Sequence, residues 1–265
     1  AFEDLKGSDK YLLVRLNQVI QAVREAYDRY NFMEVYRTIF NFLTNDLSAF
    51  YLDFAKDIVY IETANSTERR RMQTVMYAIL VKLTKLLVPI IPHTAEEIWT
   101  YLEQEEEAYA YLTEMPSAEL IPDAAEMLDF WSAFLEFRTS VHKALEMARD
   151  EKVIGKSLEA SVTVYPDEAT RVLLASVAET ENVATLLIVS EFIVSHQAAP
   201  ENAVKVGDTA LTVAHASGEV CQRCRRIDET VGTNAHPHLA EFCDHCASIV
   251  AAEFPDAVAE GFEVK

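Results

Sequence analysis

The sequence predicts a mainly α chain: a helical bundle over residues 1–150, a small α+β domain over 151–218, and a cysteine-bound knuckle over 219–265. Three observations predict it. Apolar residues recur at the 3.6-residue helical period through most of the first 150 positions. Roughly alternating, β-branched segments begin only after Lys152-Val-Ile-Gly-Lys156. All four cysteines stand near the C-terminal end as two Cys-x2-Cys pairs, Cys221/Cys224 and Cys243/Cys246, with eighteen residues between the pairs.

In chain order, Leu12, Leu13, Leu16, Val19, Ile20, Val23 and Tyr27 form the apolar stripe of a first helix, for which Ser8 or Asp9 is the expected N-cap. Asn31 with Glu34 has capping-box spacing for a second helix, whose inward face reads Val35, Ile39, Phe40, Leu43, Leu47, Phe50 and Phe54. After the link 58–65, a cap at Asn65 or Ser66 opens a third, with a stripe from Met72 through Val75, Ile79, Leu80 and Leu83 to Leu87. Pro89 and Pro92 stop it, because proline has no N–H to donate. Thr94 and Glu97 have the spacing to cap a short fourth helix. An acidic loop, Glu103–Glu107, leads to a fifth helix from about Asp123 to Arg149, whose apolar positions are Leu128, Trp131, Leu135, Val141, Leu145 and Met147. Beyond it, 158–165, 191–196 and 210–215 read as strands and 167–178 as a helix.

Composition narrows the function classes. The formal charge is −20 over 265 residues, which excludes broad, charge-driven binding to nucleic acid, since that affinity rests on many Lys and Arg contacts to phosphate. Any such contact is local. The basic residues do gather, at Arg69-Arg70-Arg71, at Lys143 to Lys156 and at Arg223, Arg225 and Arg226, although solvated faces account equally for each cluster taken singly. Lys82 and Lys85 interrupt the most apolar run, 75–91, so no membrane span is expected. The N-terminus has neither an initiator Met nor a signal-like pattern and reads as the cut end of a longer protein.

The cysteine spacing has one economical chemical reading. Zinc takes four soft donors in a tetrahedron, and two intervening residues let one tight turn present two sulfurs to the same ion. The spacing between pairs fits a four-cysteine site, with two disulfides or buried free thiols as the alternatives. A reducing, cytoplasmic setting keeps such thiols available to metal. His236, His238 and His245 lie in the same segment as substitute ligands.

Phe50-Tyr-Leu-Asp-Phe-Ala-Lys-Asp57, Arg70-Arg-Met-Gln-Thr74 and Leu87-Val-Pro-Ile-Ile-Pro-His-Thr-Ala-Glu-Glu-Ile-Trp99 resemble the anticodon-binding helical domain of class I aminoacyl-tRNA synthetases. Glu151-Lys-Val-Ile-Gly-Lys-Ser-Leu-Glu-Ala160, then a small α+β region and paired Cys-x2-Cys, narrow the resemblance to the C-terminal end of bacterial isoleucyl-tRNA synthetases, with the valyl enzymes as the nearest rival. A zinc-containing helical adaptor for other proteins is the alternative from outside that class.

The resemblance implies a piece that binds the anticodon stem-loop of tRNA(Ile), carries one structural Zn2+ on Cys221, Cys224, Cys243 and Cys246, and functions as a monomer without catalytic residues of its own. The His-Ile-Gly-His-like and Lys-Met-Ser-Lys-Ser-like signatures of the ATP-using catalytic fold are absent from the sequence. ATP chemistry and editing would then belong to upstream domains. Arg223, Arg225, Arg226, Lys152, Lys156, Arg70 and Arg71 are the candidate RNA contacts. One departure from the family pattern stands out: Arg225 follows the second cysteine where Trp is expected.

Overall fold

The computed structural model describes residue 5 and residues 7–102, 107–206 and 209–256. The N-terminal tetrapeptide and the run 103–106 of the acidic loop lie outside the described residues. The chain is mainly α with two small sheets and divides into two compact units. One comprises Ala1–Ala55 with Thr67–Asp129, the other Lys56–Ser66 with Phe130–Lys265. Among the described residues, no helix is long and apolar enough to cross a membrane.

The first unit is helical. It contains α1 (Gly7–Asp28), α2 (Phe32–Asn41), a π-helical stretch (Phe42–Tyr51) leading into α3 (Leu52–Val59), α4 (Thr67–Leu87) and α5 (Pro92–Trp99). Its core is built from Leu12, Leu16, Ile20, Phe42, Tyr51, Phe54, Met72, Ile79 and Leu86, all buried. Asn31 caps α2 as expected, its side chain accepting from the Glu34 N–H at 3.3 Å.

Three expectations for this unit are corrected. Ser8 and Asp9 lie inside the first turn of α1 and are buried. Asp9 accepts from the Tyr51 hydroxyl at 2.6 Å and pairs with Arg71, whose guanidinium is buried with it. A carboxylate that reads in sequence as a solvent-side cap is therefore the centre of a buried polar cluster. Phe40, expected inside, is 49% exposed, while Phe42 is buried. Phe40 lies in α2, where Val35, Ile39 and then Phe42 face the core at i, i+4 and i+7, so position 40 is turned about 100° from Ile39 and out of the core. Finally, α5 starts at Pro92 and not at the Thr94 cap, with proline at the first helical position, where the lost N–H has no partner to forfeit.

The connection after α5 is held by polar contacts. The Glu96 carboxylate accepts from the N–H groups of Ala110 and Tyr111 at 3.1 and 2.9 Å, and the Trp99 indole donates to the Glu107 carbonyl at 2.8 Å. Trp99, Leu102 and Ala110 form a satellite core beneath it.

In the second unit, α6 (Ala124–Asp150), from Phe130 onward, lies beside a four-stranded sheet. The sheet contains β1 (Ala160–Tyr165), β2 (Glu191–Val194), β3 (Val204–Val206) and β4 (Thr209–His215) in the order β2-β1-β4-β3. β1 and β2 run parallel, with Val162 opposite Phe192. Their crossover carries α7 (Glu168–Ala178), capped by Asp167, and α8 (Val183–Leu187). β4 is antiparallel to both β1 and β3. Phe137 of α6 meets Phe192 of β2 edge-to-face at 6.3 Å, and buried Arg138 donates to the Leu186 carbonyl at 3.0 Å. β3 and α8 were not legible as elements, being only a few residues long.

The Asp9–Arg71 pair gives the first unit a sharp vulnerability. Removing one member leaves the other buried and uncompensated, at a typical cost of about 3–5 kcal/mol. Arg71→Ala is expected to lower unfolding stability by that order in urea melts followed by far-UV circular dichroism; a change within about 0.5 kcal/mol would contradict the assigned role.

Candidate metal centre

Two local devices aim the four sulfurs at one point. β5 (Glu219–Val220) and β6 (Ile227–Asp228) form a short antiparallel hairpin whose tip carries the first cysteine pair. The Cys221 N–H donates to the Arg226 carbonyl at 2.8 Å and the Arg225 N–H to the Cys221 carbonyl at 2.9 Å, so Cys221 and Cys224 share one tight turn. Arg225 closes that turn with φ of 65°, a left-handed conformation that costs a residue bearing Cβ roughly 1–2 kcal/mol. The hairpin starts at Gly218, where φ is 111° and a Cβ would stand 2.5 Å from the Asp228 carbonyl group. The second pair opens α9 (Asp244–Glu253): Cys243 is its N-cap and Cys246 lies in its first turn. The partial positive charge of a helix N-terminus favours thiolate there.

The cysteines are free, and Cys221, Cys243 and Cys246 are buried. All four sulfurs lie within 4.8 Å of one another, with Cys224 and Cys243 at 3.9 Å. Zn–S bonds of about 2.3 Å place tetrahedral sulfurs roughly 3.8 Å apart, so the donor set fits zinc in number, softness and size. Disulfide bonding is excluded at these separations, since an S–S bond is about 2.05 Å. No histidine joins the set among the described residues. His245 instead contacts the Glu62 carboxylate at 2.8 Å.

Crowding sets the sulfur protons against one another. Hydrogen bonds from Cys224, then Cys243 and Cys246, drive the Cys221 thiol far down, while Cys224, giving its proton toward Cys221, is pushed far up. The four sulfurs would hold a dication, whose charge would favour thiolate at each of them. Four thiolates around Zn2+ leave two negative charges, and the surroundings answer them. The Cys243 N–H donates to Cys221 Sγ at 3.3 Å, and Arg223 Nη1 donates to Cys246 Sγ at 3.6 Å.

Residues 56–66, the end of α3 and the link to α4, belong to the same unit as this centre. Ile61 packs against the cysteines together with Val231 and Phe242. Arg223 Nη2 donates to the Ile61 carbonyl at 2.5 Å, and Arg226 faces Asp57 at 3.6 Å and Thr185 Oγ1 at 3.0 Å. Sequence reasoning missed this association. Asp57 and Glu62 are ordinary acidic residues until their partners, more than 160 positions later, are known.

The other candidate residues fall into distinct settings. Arg225 is exposed, its guanidinium donating to Gln222 Oε1 at 2.8 Å, whereas Arg223 and Arg226 are half-buried and committed to the contacts above. Lys152 and Lys156 are exposed, Lys152 holding φ of 60° where α6 ends. The N–H groups of Gly155 and Lys156 both donate to the Glu159 carboxylate, which they hold below the usual carboxylate range. The backbone donors of that turn therefore serve an internal anion, leaving the two lysine side chains for any phosphate. Arg70 is exposed in the first turn of α4. Arg71, expected at an RNA surface, is instead buried against Asp9, because helical geometry turns adjacent residues to different faces.

The chain belongs to the family described as anticodon-binding domain of tRNA ligase, whose model matches residues 9–164. Residues 218–249 match the zinc finger found in FPG and IleRS, which is the four-cysteine segment. Among ligases, the chain is similar to the isoleucine–tRNA ligase of Lactococcus lactis subsp. lactis strain IL1403, at 60% identity over 99% of the chain. It is also 56% identical to that of Streptococcus sanguinis strain SK36 over 99% of the chain, and 57% identical to that of Streptococcus gordonii strain Challis over all of it. The chain spans 28% of the length of each of these relatives.

Arg223 touches a sulfur without being a ligand, a role whose loss typically weakens metal affinity about 10–100-fold. Arg223→Ala is expected to release zinc to a chromophoric chelator at correspondingly lower chelator concentration, while Arg225→Ala is expected to retain it as wild type does.

Proposed function

We propose that the chain is the tRNA-reading C-terminal part of an isoleucine–tRNA ligase and holds the anticodon stem-loop of tRNA(Ile) for the intact enzyme. In that enzyme, domains outside this chain would activate isoleucine with ATP, transfer it to tRNA and edit mistakes. The observation that carries the reading is 54–60% identity to isoleucine–tRNA ligases along essentially the whole chain. Such identity spans both the helical region and the cysteine segment, and the latter separates these ligases from others that share only the helical domain.

On this reading Cys221, Cys224, Cys243 and Cys246 hold one structural zinc ion that takes no part in chemistry. The knuckle it fixes has its own small core of Leu239, Ala247 and Val250. The expected division into a bundle at 1–150, an α+β domain at 151–218 and a knuckle at 219–265 is a proposal about how function is shared along the chain. The protein works as a cytoplasmic monomer.

RNA loops are read by splaying bases onto planar groups while phosphate contacts set the register. Arg225 is the arginine of the knuckle offered to solvent, and its planar guanidinium can stack on a base or fork onto a phosphate. Lys152, Lys156 and Arg70 supply exposed cations for the backbone, while Arg223 and Arg226 hold the frame in place. With a net charge of −20, recognition depends on these few groups being placed in advance.

The test is fluorescence anisotropy with synthetic hairpins carrying isoleucine or valine anticodons at moderate salt. The chain is expected to prefer the isoleucine hairpin, and Arg225→Ala to weaken it by about 1 kcal/mol or more. Equal binding to both hairpins, or none to either, would overturn the reading.

A further inference from the structure

We propose that the α3–α4 link is the second half of the knuckle's RNA surface, with Tyr60 as the plane on which an unpaired base of the anticodon loop stacks. This inference rests on the tRNA-binding reading above and adds to it a contributing segment far away in sequence.

The link is fixed to the metal centre at several points. Ile61 contributes its side chain to the cysteine cluster and its carbonyl to Arg223. Asp57 faces Arg226, and Glu62 contacts His245. Both carboxylates are thereby turned toward the knuckle and partnered, which removes two anions that would otherwise repel an approaching phosphate backbone. The segment is also ordered internally, since the Tyr60 N–H donates to the Lys56 carbonyl at 3.1 Å and the Glu62 N–H to the Ile58 carbonyl at 2.9 Å.

Between these anchors, Tyr60 is 80% exposed. A single exposed aromatic residue on a soluble surface needs no explanation. Tyr60 differs in its position. It stands one residue from Ile61, and Arg225 stands one residue from Cys224; Ile61 and Cys224 both pack in the same cysteine cluster. Consecutive Cα atoms are 3.8 Å apart, so an exposed ring and an exposed guanidinium flank one rigid core.

Arg225 offers the knuckle's own planar group, and Tyr60 adds an aromatic one from the link. The knuckle's own Phe242 is packed against the cysteines, and Arg225 fills the position after the second cysteine. Base recognition in loops calls for aromatic or guanidinium planes. A tyrosine already immobilised at its backbone offers that plane at little further ordering cost.

The experiment measures binding of the isoleucine anticodon hairpin to the chain and to its Tyr60→Ala and Tyr60→Trp variants, with zinc content and circular dichroism recorded for each. Tyr60→Ala is expected to weaken binding about tenfold or more with zinc retained, and Tyr60→Trp to bind within about twofold of wild type or tighter. Wild-type affinity in a zinc-loaded Tyr60→Ala variant overturns the inference and leaves the tRNA-binding reading standing. Absence of binding by the wild-type chain overturns both. If Tyr60→Ala loses its zinc, Tyr60→Trp decides: zinc-loaded protein with clearly weaker binding counts against stacking, and undiminished binding supports it.

Discussion

Four cysteine sulfurs within 4.8 Å of one another are an arrangement that thiols alone tolerate poorly. Their protons compete, and three of the four are buried. A divalent cation held by the four sulfurs would remove this conflict and tie the segments that carry them to one point. The β5–β6 hairpin, the left-handed Arg225 and the N-terminus of α9 all serve to bring the sulfurs to that point, as does the packing of Ile61 from the link. Arg223 joins the layers, touching Cys246 with one nitrogen and the link backbone with the other.

On the proposed tRNA-binding reading, that constraint would let so acidic a chain read RNA. A protein with many basic residues can bind loosely and search; one with a net charge of −20 depends on a few groups fixed in advance. Metal ligation would supply that fixing, because the ordering cost would be met when the metal binds and not when RNA arrives. The same division of labour appears among the arginines. Arg223 and Arg226 are held by protein partners, and Arg225 faces solvent.

Much of this was legible in the sequence. Cysteine spacing revealed the donor set because zinc chemistry restricts spacing tightly. Helical periodicity placed α1, α4 and α6, whose stripes are long enough to average out single misplacements. What remained hidden depended on contacts between distant residues or on which of two nearby apolar residues the core takes. Phe40 and Phe42 are both apolar, and the core takes Phe42, at i+7 from Val35, while leaving Phe40 exposed. Asp9 and Arg71 each look like surface residues, and only tertiary packing pairs them. The association of residues 56–66 with the cysteines spans most of the chain, so neither segment's sequence hints at the other.

On the proposed reading, metal-imposed rigidity, and not charge, makes the knuckle a reader of RNA. The most direct measurement is the dissociation constant of the isoleucine anticodon hairpin as zinc is withdrawn in steps by a chelator and then restored, with helical content followed in the same samples. Affinity should fall in proportion to zinc lost and recover on reloading, while the α-helical signal of the first unit stays nearly constant. Undiminished affinity in fully zinc-depleted protein would contradict the account.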